Sequence, residues 1–303
     1  MALKLIKNQI KSTIRTSKVT KAMEAVSAVK MRKSQERALH GRPYAETALR
    51  ILERVSQSDD AKQHPFLIPG RGTHDCVIVI TSDKGLAGSL NSAVLKEATI
   101  ALSTFTKDAV ELICFGKKGY EHFERRGYVI PKHYLNLHDN IELDDMEEVV
   151  QFITDAFMQN KYRSVYVVYQ NFVSTFEQRA VLRQVLPLDH TLLGEMVKDI
   201  LPRSGKYSAA PEAGKRTPYT IEPDRESVLN TIFPALVKVM VYHALLESKA
   251  SEHSARMVAM KNATDKAREV TKLLTLKYNK ERQSVITAEV SEITGGIEAM
   301  AKK

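Results

Sequence analysis

The feature that most constrains this chain is an uninterrupted helix-compatible stretch near its C terminus. After Pro234 there is no Pro or Gly until Gly295 and Gly296. At 1.5 Å per residue, this stretch predicts one helix of about 60 residues, on the order of 90 Å long. Pro234 itself should bend the helix or mark its restart. Such a helix is far longer than any globular core requires.

Apolar and small residues recur along this helix at alternating spacings of four and three. Such a heptad seam predicts a left-handed coiled coil with a second helix. The middle of the seam is small and semi-polar, so the helices can approach closely while gaining little apolar burial per turn. The seam residues are Ile232, Leu236, Val239, His243, Leu246, Ala250, His253, Met257, Met260, Thr264, Ala267, Thr271, Leu274 and Tyr278.

The N-terminal segment supplies a partner for this helix. Residues 1–40 contain neither Pro nor Gly, and their apolar residues recur at helical spacing. We expect the helix to continue to about Val55. Because the small residues Thr13, Ser17 and Thr20 follow at matching spacing, an antiparallel hairpin is the simplest topology.

The middle of the chain alternates between strand-like and helix-like segments. It begins with the apolar run CVIVIT at Cys76, and the later runs at 164–172 and 179–187 have fully apolar centres. Such runs are typical of a sheet that is covered on both faces. We therefore predict an α/β fold with long helices, whose central α/β domain has a largely parallel sheet. The predicted division is an N-terminal coiled-coil helix at 1–57, the α/β domain at 58–224 with a mobile loop at 202–219, and a C-terminal coiled-coil helix at 225–303.

The charge of the chain predicts an anionic partner. The formal net charge is +9, and most of the excess lies in the first 57 residues. Lys4, Lys7 and Lys11 interrupt the start too early for a signal peptide, and no apolar run appears long enough for a bilayer span. We expect a soluble or peripheral protein that faces nucleic acid, acidic headgroups or an acidic protein.

The turn TSDKGLAGSLN at 81–91 is the strongest candidate for a ligand site, since it follows the first strand. A Walker loop needs GxxxxGK and a dinucleotide fingerprint needs GxGxxG, but here only Gly85 and Gly88 follow Lys84. Nucleotide binding is therefore the weaker interpretation. The alternatives are a tight turn that uses glycine for its backbone angles, or a protein contact that presents Lys84.

No other group of residues predicts catalysis, a cofactor or a metal. His243 and His253 are ten residues apart on the seam, which is too far for a shared ligand. Cys76 and Cys114 lie in separate strand-like runs and are expected to be buried, reduced thiols. Two pairs in a polar loop could suggest general acid–base chemistry, His138 with Asp139 and Asp144 with Asp145, but no nucleophile is near, and we interpret them as solvated charge. The sequence predicts a protein that is not itself an enzyme.

An apolar stripe ends the chain. An isolated helical hairpin would present it to water, so we predict that another protein covers it. Its members are Ile286, Val290, Ile293, Ile297 and Met300.

Several strings resemble the γ subunits of F-type ATP synthases, in the same order along the chain. They cover both helices and the first strand and turn, whereas the rest of the middle resembles that family mainly in pattern. Because the sequence starts directly at the family helix, we expect a bacterial protein, and because it lacks the paired-cysteine insertion of chloroplast members, we expect no thiol regulation. The strings are VTKAMEAVSAVKMRKSQ at 19–35, RPYAE at 42–46, TSDKGLAGSLN at 81–91, SEHSARMVAMKNATDKA at 251–267 and YNKERQSVITAEVSEITGG at 278–296.

The resemblance implies a central-stalk rotor, present in one copy per complex. Its coiled coil would penetrate a hexamer of α and β subunits, and its α/β domain would contact the ε subunit and the ring of c subunits. It would couple ion flow through the c ring to ATP synthesis or hydrolysis, without a cofactor, at the cytoplasmic face of the bacterial inner membrane. The implied partner contacts are Arg282, Gln283 and Thr287 against a β-subunit loop, Met23 in the matching N-terminal turn, and Lys84 with Gly85 in the contact turn.

A nucleic-acid-binding protein with a basic coiled-coil arm is the alternative. The sequence pI of about 9.3 and the cations of the first helix favour it. However, residues 1–40 contain no aromatic side chain that could stack on bases, and this alternative leaves the apolar stripe unexplained.

Overall fold

A computed structural model describes residues 2–55, 64–188 and 225–301. The chain divides into two compact units: residues 1–27 with 257–303 form the helical unit, and residues 28–256 form the sheet unit. The predicted loop at 202–219 lies outside the described residues. The predicted domain boundaries, after residues 57 and 224, stay predictions.

Two long helices each contribute to both units. Helix α1 (Ala2–Val55) ends where the sequence predicts, and the last helix of the chain, α5 (Arg225–Ala301), has 77 residues. No restart occurs at Pro234, which lies inside α5. Its neighbours Phe233 and Leu236 are buried, and their packing offsets the hydrogen bond that a proline removes.

In the helical unit, α1 and α5 pack through small polar side chains. The hydroxyls of Thr20 and Thr264 are 2.6 Å apart and buried. Each hydroxyl also lies within hydrogen-bond distance of a carbonyl of its own helix, Thr20 of Ser17 at 3.2 Å and Thr264 of Met260 at 2.8 Å. Ile6 and Ala267 are also buried on this seam. The predicted antiparallel coiled coil is confirmed, and so is the burial of the small residues in its seam.

The described residues of the sheet unit form five strands in the order β3-β2-β1-β4-β5. Strand β1 is parallel to both β2 and β4, β2 is parallel to β3, and β4 and β5 form an antiparallel pair. The largely parallel sheet is therefore confirmed. Its elements are β1 (His74–Ile80), α2 (Leu90–Leu102), β2 (Val110–Phe115), α3 (Lys117–Glu124), β3 (Val129–Tyr134), α4 (Glu147–Met158), β4 (Tyr162–Phe172) and β5 (Gln178–Leu186).

Strand β3 is absent from the sequence-based interpretation. It forms one edge of the sheet, and its side chains alternate between exposed and half-buried. It also contains Pro131, which cannot donate a hydrogen bond to a neighbouring strand. An edge strand accommodates both features, and both weaken the apolar pattern from which a strand is predicted.

The core of the sheet unit lies on both faces of the sheet. On one face, α4 and the start of α5 bury Ile153, Phe233 and Val237 against it. On the other face, α2 and α3 bury Val94 and Phe123. This two-sided cover explains why β1 and β4 read as continuous apolar runs.

Helix α5 also corrects the expectation that no segment is apolar enough to cross a membrane. By length and composition, one 18-residue window within Ser227–Ile297 passes that test, but 56% of the window is buried inside the structure. The sheet accounts for this composition, since the part of α5 that packs on it needs apolar residues on more than one side.

Candidate partner-contact surfaces

The end of α5, in the helical unit, exposes the predicted apolar stripe. The exposed fraction is 63% for Ile293 and 83% for Met300, and Ile286, Val290 and Ile297 are exposed as well. Single exposed apolar residues are ordinary, but a continuous stripe of this kind marks an interaction surface. We call these five residues the tip stripe.

Three of the predicted contact residues lie just before the tip stripe and beside it. Arg282, Gln283 and Thr287 are all exposed. The Thr287 hydroxyl donates to the carbonyl of Gln283 at 2.9 Å, a bond within the helix. Within the described part of the chain, no hydrogen bond or ion pair occupies the side chain of Arg282. Because Arg282 is four residues before Ile286, it lies on the face that carries the stripe.

Met23 is half-buried on α1 in the helical unit. It lies four residues after Val19 and three before Val26, so the three side chains share one face of the helix. Val19 and Val26 are 58% and 54% exposed. The two valines are not among the predicted contact residues, although their helical spacing from Met23 indicates that they share its face.

The turn after β1 belongs to the sheet unit, and its shape is set by its own side chains. The backbone N–H of Ser82 donates to Asn91 Oδ1 at 3.0 Å, and Asn91 Nδ2 donates to Ser82 Oγ at 2.8 Å. The Ser82 hydroxyl also donates to the carbonyl of Lys84 at 2.6 Å. These bonds leave Lys84 and Gly85 exposed.

Two residues of this turn adopt the left-handed backbone region. They are Gly88, with φ of 59°, and Leu86, with φ of 63°. The predicted use of glycine for the backbone angles is therefore correct at Gly88. It does not hold at Gly85, which has no positive φ and where an added Cβ would meet no atom within 4 Å. A leucine at positive φ is uncommon, and its side chain is 63% exposed.

Arg256 on α5 anchors the turn. Its guanidinium donates to the carbonyl of Gly85 at 3.3 Å and to the Glu252 carboxylate at 2.7 Å. Arg256 and Glu252 are both buried. Because a buried charge needs a partner of opposite charge, the two side chains keep each other in this position. No local pattern in the sequence indicates that Arg256 reaches Gly85.

Asp139, in the loop after β3, binds several cations. Its carboxylate accepts from Lys30 Nζ at 2.6 Å and lies 3.2 Å from His253 Nε2, with Lys249 Nζ at 4.0 Å. Burial favours a raised pKa for Asp139, but the hydrogen bond from Lys30 and the charges of His253 and Lys249 lower the pKa overall. Burial lowers the pKa of His253. Asp139 is therefore partly exposed and also paired with cations, a pairing that the interpretation as solvated charge does not include.

The two thiols and the two histidines of the seam lie in buried positions. Cys76 and Cys114 are buried and free, as predicted, and burial raises the pKa of Cys114 to about 12. Among the residues that the structure describes, no group of three or more His, Cys, Asp or Glu side chains could hold a metal ion. His243 and His253 are buried on the seam, as the heptad predicts.

Comparison with known proteins decides the family. The profile of the family described as ATP synthase matches residues 2–300. The ATP synthase gamma chain of Pelotomaculum thermopropionicum is 37% identical over 299 residues, which cover 99% of each chain. The chain belongs to the ATP synthase gamma-chain family. The gamma chain of Delftia acidovorans is 39% identical over 98% of this chain and 99% of the relative.

Solved structures of ATP synthases have the same fold as this gamma-chain family member. A chain of the Tetrahymena thermophila mitochondrial ATP synthase, from its central stalk and c-ring, is 26% identical with a TM-score of 0.57. The match covers 81% of this chain and 99% of that one. A chain of the Euglena gracilis mitochondrial enzyme gives a TM-score of 0.64 at 17% identity, which supports the fold alone. These comparisons give no support to the nucleic-acid-binding alternative.

Proposed function

We propose that this chain is the central-stalk rotor subunit of an F-type ATP synthase, which couples ion flow through a membrane ring to ATP synthesis or hydrolysis. The observation that carries the proposal is the tip stripe, at the end of a 77-residue helix in a chain that matches gamma chains over its whole length. A long helix with an exposed apolar end is suited to turn inside a sleeve formed by other subunits.

The proposed partners are the hexamer of α and β subunits, the ε subunit and the ring of c subunits. The exposed cations favour partners with acidic surfaces, since the chain carries a net charge of +9. The contact residues that we propose are Met23, Lys84, Gly85, Arg282, Gln283 and Thr287.

The chain is a stalk component of ATP synthase, and we propose that it has no catalytic site of its own. Catalysis would take place in the β subunits of the complex. The complex is membrane-bound. We propose that this subunit is peripheral to the membrane and lies at the cytoplasmic face of a bacterial inner membrane.

The proposed mechanism is mechanical. A rotating shaft can change the nucleotide affinity of a surrounding subunit only through contacts that differ with the angle of rotation. The end of α5 provides such a difference, because its apolar residues form a stripe and its opposite face carries small polar residues such as Ser284 and Ser291. Each β subunit would therefore meet a different surface at each angle.

Co-purification tests the proposal. The tagged chain is expressed with untagged α and β subunits from the same source, and the purified material is assayed for ATP hydrolysis. We expect a stable complex with three α and three β subunits, and ATPase activity that the chain alone lacks. A chain that purifies without either subunit, or that hydrolyses ATP by itself, would contradict the proposal.

A further inference from the structure

The hairpin between β4 and β5 extends beyond the rest of the sheet. Val168 of β4 pairs with Val79 near the end of β1, whereas β4 and β5 stay paired as far as Phe172 and Gln178. At about 3.3 Å per residue, the hairpin projects about 13 Å beyond the level of Val79. Its tip, residues 173–177, therefore lies past the carboxyl edge of the sheet.

The tip is held in one conformation by its own bonds. The backbone N–H of Ser174 donates to the carbonyl of Glu177 at 2.9 Å, and Ser174 Oγ accepts from the Glu177 N–H at 3.1 Å. Gln178 Nε2 donates to the carbonyls of Ser174 and Thr175 at 3.0 and 3.1 Å. Ser254 on α5 also holds the tip in place, because its hydroxyl donates to the Thr175 carbonyl at 2.6 Å.

This ordered tip presents an exposed aromatic ring. Phe176 is 82% exposed. A mobile loop could turn such a ring away from water, but the bonds on both sides of Phe176 leave it outside the core. Aromatic side chains that are held rigidly on a surface are typical anchors of protein interfaces, because little conformational entropy is lost when they bind.

Further exposed groups lie at the same edge. The turn with Leu86 follows the end of β1, and the first residues of α3 follow the end of β2. The backbone N–H of Lys118 donates to the Ser82 carbonyl at 3.2 Å, so α3 begins beside the turn. We call Lys84, Leu86, Lys118 and Phe176 the edge patch.

The charges of the edge patch indicate the chemistry of its partner. Lys84 and Lys118 are exposed, and within the described residues neither side chain has an ion pair. Among the neighbouring charges, Lys117 pairs with Glu121 at 3.6 Å, Glu177 pairs with Arg179 at 2.5 Å, and the Asp83 carboxylate accepts from the backbone N–H of Lys117 at 3.0 Å. The patch therefore combines two exposed apolar groups with two unpaired positive charges, which is complementary to an acidic segment that also carries an apolar side chain.

We propose that the edge patch docks an acidic segment of the α/β hexamer, with Phe176 inserted as its apolar anchor. This inference rests on the proposed function and adds the hairpin tip to the contacts that the resemblance implies. Arg256 and Ser254, two residues apart on α5, hold the turn and the tip respectively, so α5 fixes both halves of the patch.

Photo-crosslinking in the assembled complex tests the inference. The chain carrying Phe176→p-benzoylphenylalanine is assembled with α and β subunits and irradiated, and the crosslinked peptide is identified by mass spectrometry. The matched control carries the same probe at Ile100, which is exposed on α2 about 15 Å along that helix from Leu90, toward the opposite edge of the sheet. We expect the probe at 176 to label an acidic segment of α or β, and the control not to label that segment.

Titration of the α/β subcomplex with labelled chain gives a second readout. Phe176→Ala and Lys118→Glu should each weaken association by about tenfold, because they remove an apolar anchor and reverse a complementary charge. Ile100→Ala and Lys96→Glu, which alter exposed residues of α2, should leave association unchanged.

The outcomes separate the inference from the proposed function. If the unmodified chain assembles with α and β but the probe at 176 labels another subunit or nothing, the inference is overturned and the proposed function stands. Equal association of Phe176→Ala and Ile100→Ala would overturn it in the same way. If the unmodified chain does not assemble with α and β, both fall.

Discussion

The two units of the molecule use the same helix in different ways. In the sheet unit, residues 241–256 of α5 are buried on nearly every side, because the sheet and its loops surround the helix. In the helical unit, α5 is buried along one seam only, and its last turns are exposed. The same secondary structure therefore serves as a core element in one unit and as a contact surface in the other, and the difference lies in how many neighbours surround it.

The comparison predicts that equal truncations have unequal effects. Ile78 in β1 is fully buried and Ile293 in the tip stripe is 63% exposed. Ile78→Ala should destabilise the chain by about 2–5 kcal/mol, whereas Ile293→Ala should change its stability by less than about 0.5 kcal/mol. Urea unfolding followed by circular dichroism measures both. Similar losses for the two variants would show that the tip stripe is part of the folded core.

Removal of the tip should weaken association with other subunits without changing the stability of the sheet unit. Deletion of residues 286–303 removes the tip stripe. Association with the α/β hexamer should weaken by about 100-fold or more, because the apolar contacts of these side chains with the hexamer are lost. The melting transition of the sheet unit should stay unchanged. Titration and calorimetry check the two halves of this prediction. Assembly and ATPase coupling that survive the deletion would count against the role of the tip stripe.

The hydroxyl pair in the seam offers a smaller test of how the helical unit is held. Thr264→Val keeps the shape of the side chain but removes the buried hydroxyl that bonds to the Thr20 hydroxyl, which should cost about 1 kcal/mol. The double variant Thr20→Val with Thr264→Val should recover part of that loss, because no buried hydroxyl then lacks its partner. Hydrogen exchange at the amides of α1 measures the effect. Strictly additive losses would mean that the two hydroxyls do not interact.

Local patterns were enough to predict the long helices, the seam and the parallel sheet. The seam can be read from spacing alone, and residues such as Leu236, Ala250 and Thr264 are buried as predicted. Strand β1 could be predicted because a sheet covered on both faces requires a continuous apolar run. These features depend on residues that are close together in sequence.

The contacts between distant segments could not be predicted. Arg256 and Gly85 are 171 residues apart, and Lys30 and Asp139 are 109 apart. Nothing near Asp139 in sequence indicates that the fold brings cations to it. The positive φ of Leu86 is likewise set by the bonds of the turn and not by a glycine. The six proposed partner contacts stay predictions, because they depend on subunits outside this chain.

The smallest expected effect is a pH dependence in the sheet unit, which follows from the lowered pKa of Asp139. A carboxylate with a lowered pKa stabilises the fold at pH values above its ordinary pKa of 3.8, and this contribution is lost as the pH falls toward its folded value. Asp139→Asn should therefore destabilise the chain near neutral pH by less than about 1 kcal/mol, since the carboxylate is partly exposed and screened by solvent. The difference from the unmodified chain should shrink below pH 3.8.

Urea unfolding at several pH values measures this difference, with Asp155→Asn as the control. Asp155 is exposed on α4 and, within the described residues, has no ion pair. His253 is coupled to this carboxylate: burial lowers the pKa of His253, and the charge of Asp139, 3.2 Å away, opposes that lowering. Acidification below the ordinary His253 value of 6.5 should therefore cost Asp139→Asn more stability than the unmodified chain, so the difference should widen as His253 is protonated before it shrinks below pH 3.8. A difference that persists unchanged below pH 3.8 would mean that Asp139 acts through its shape and not through its charge.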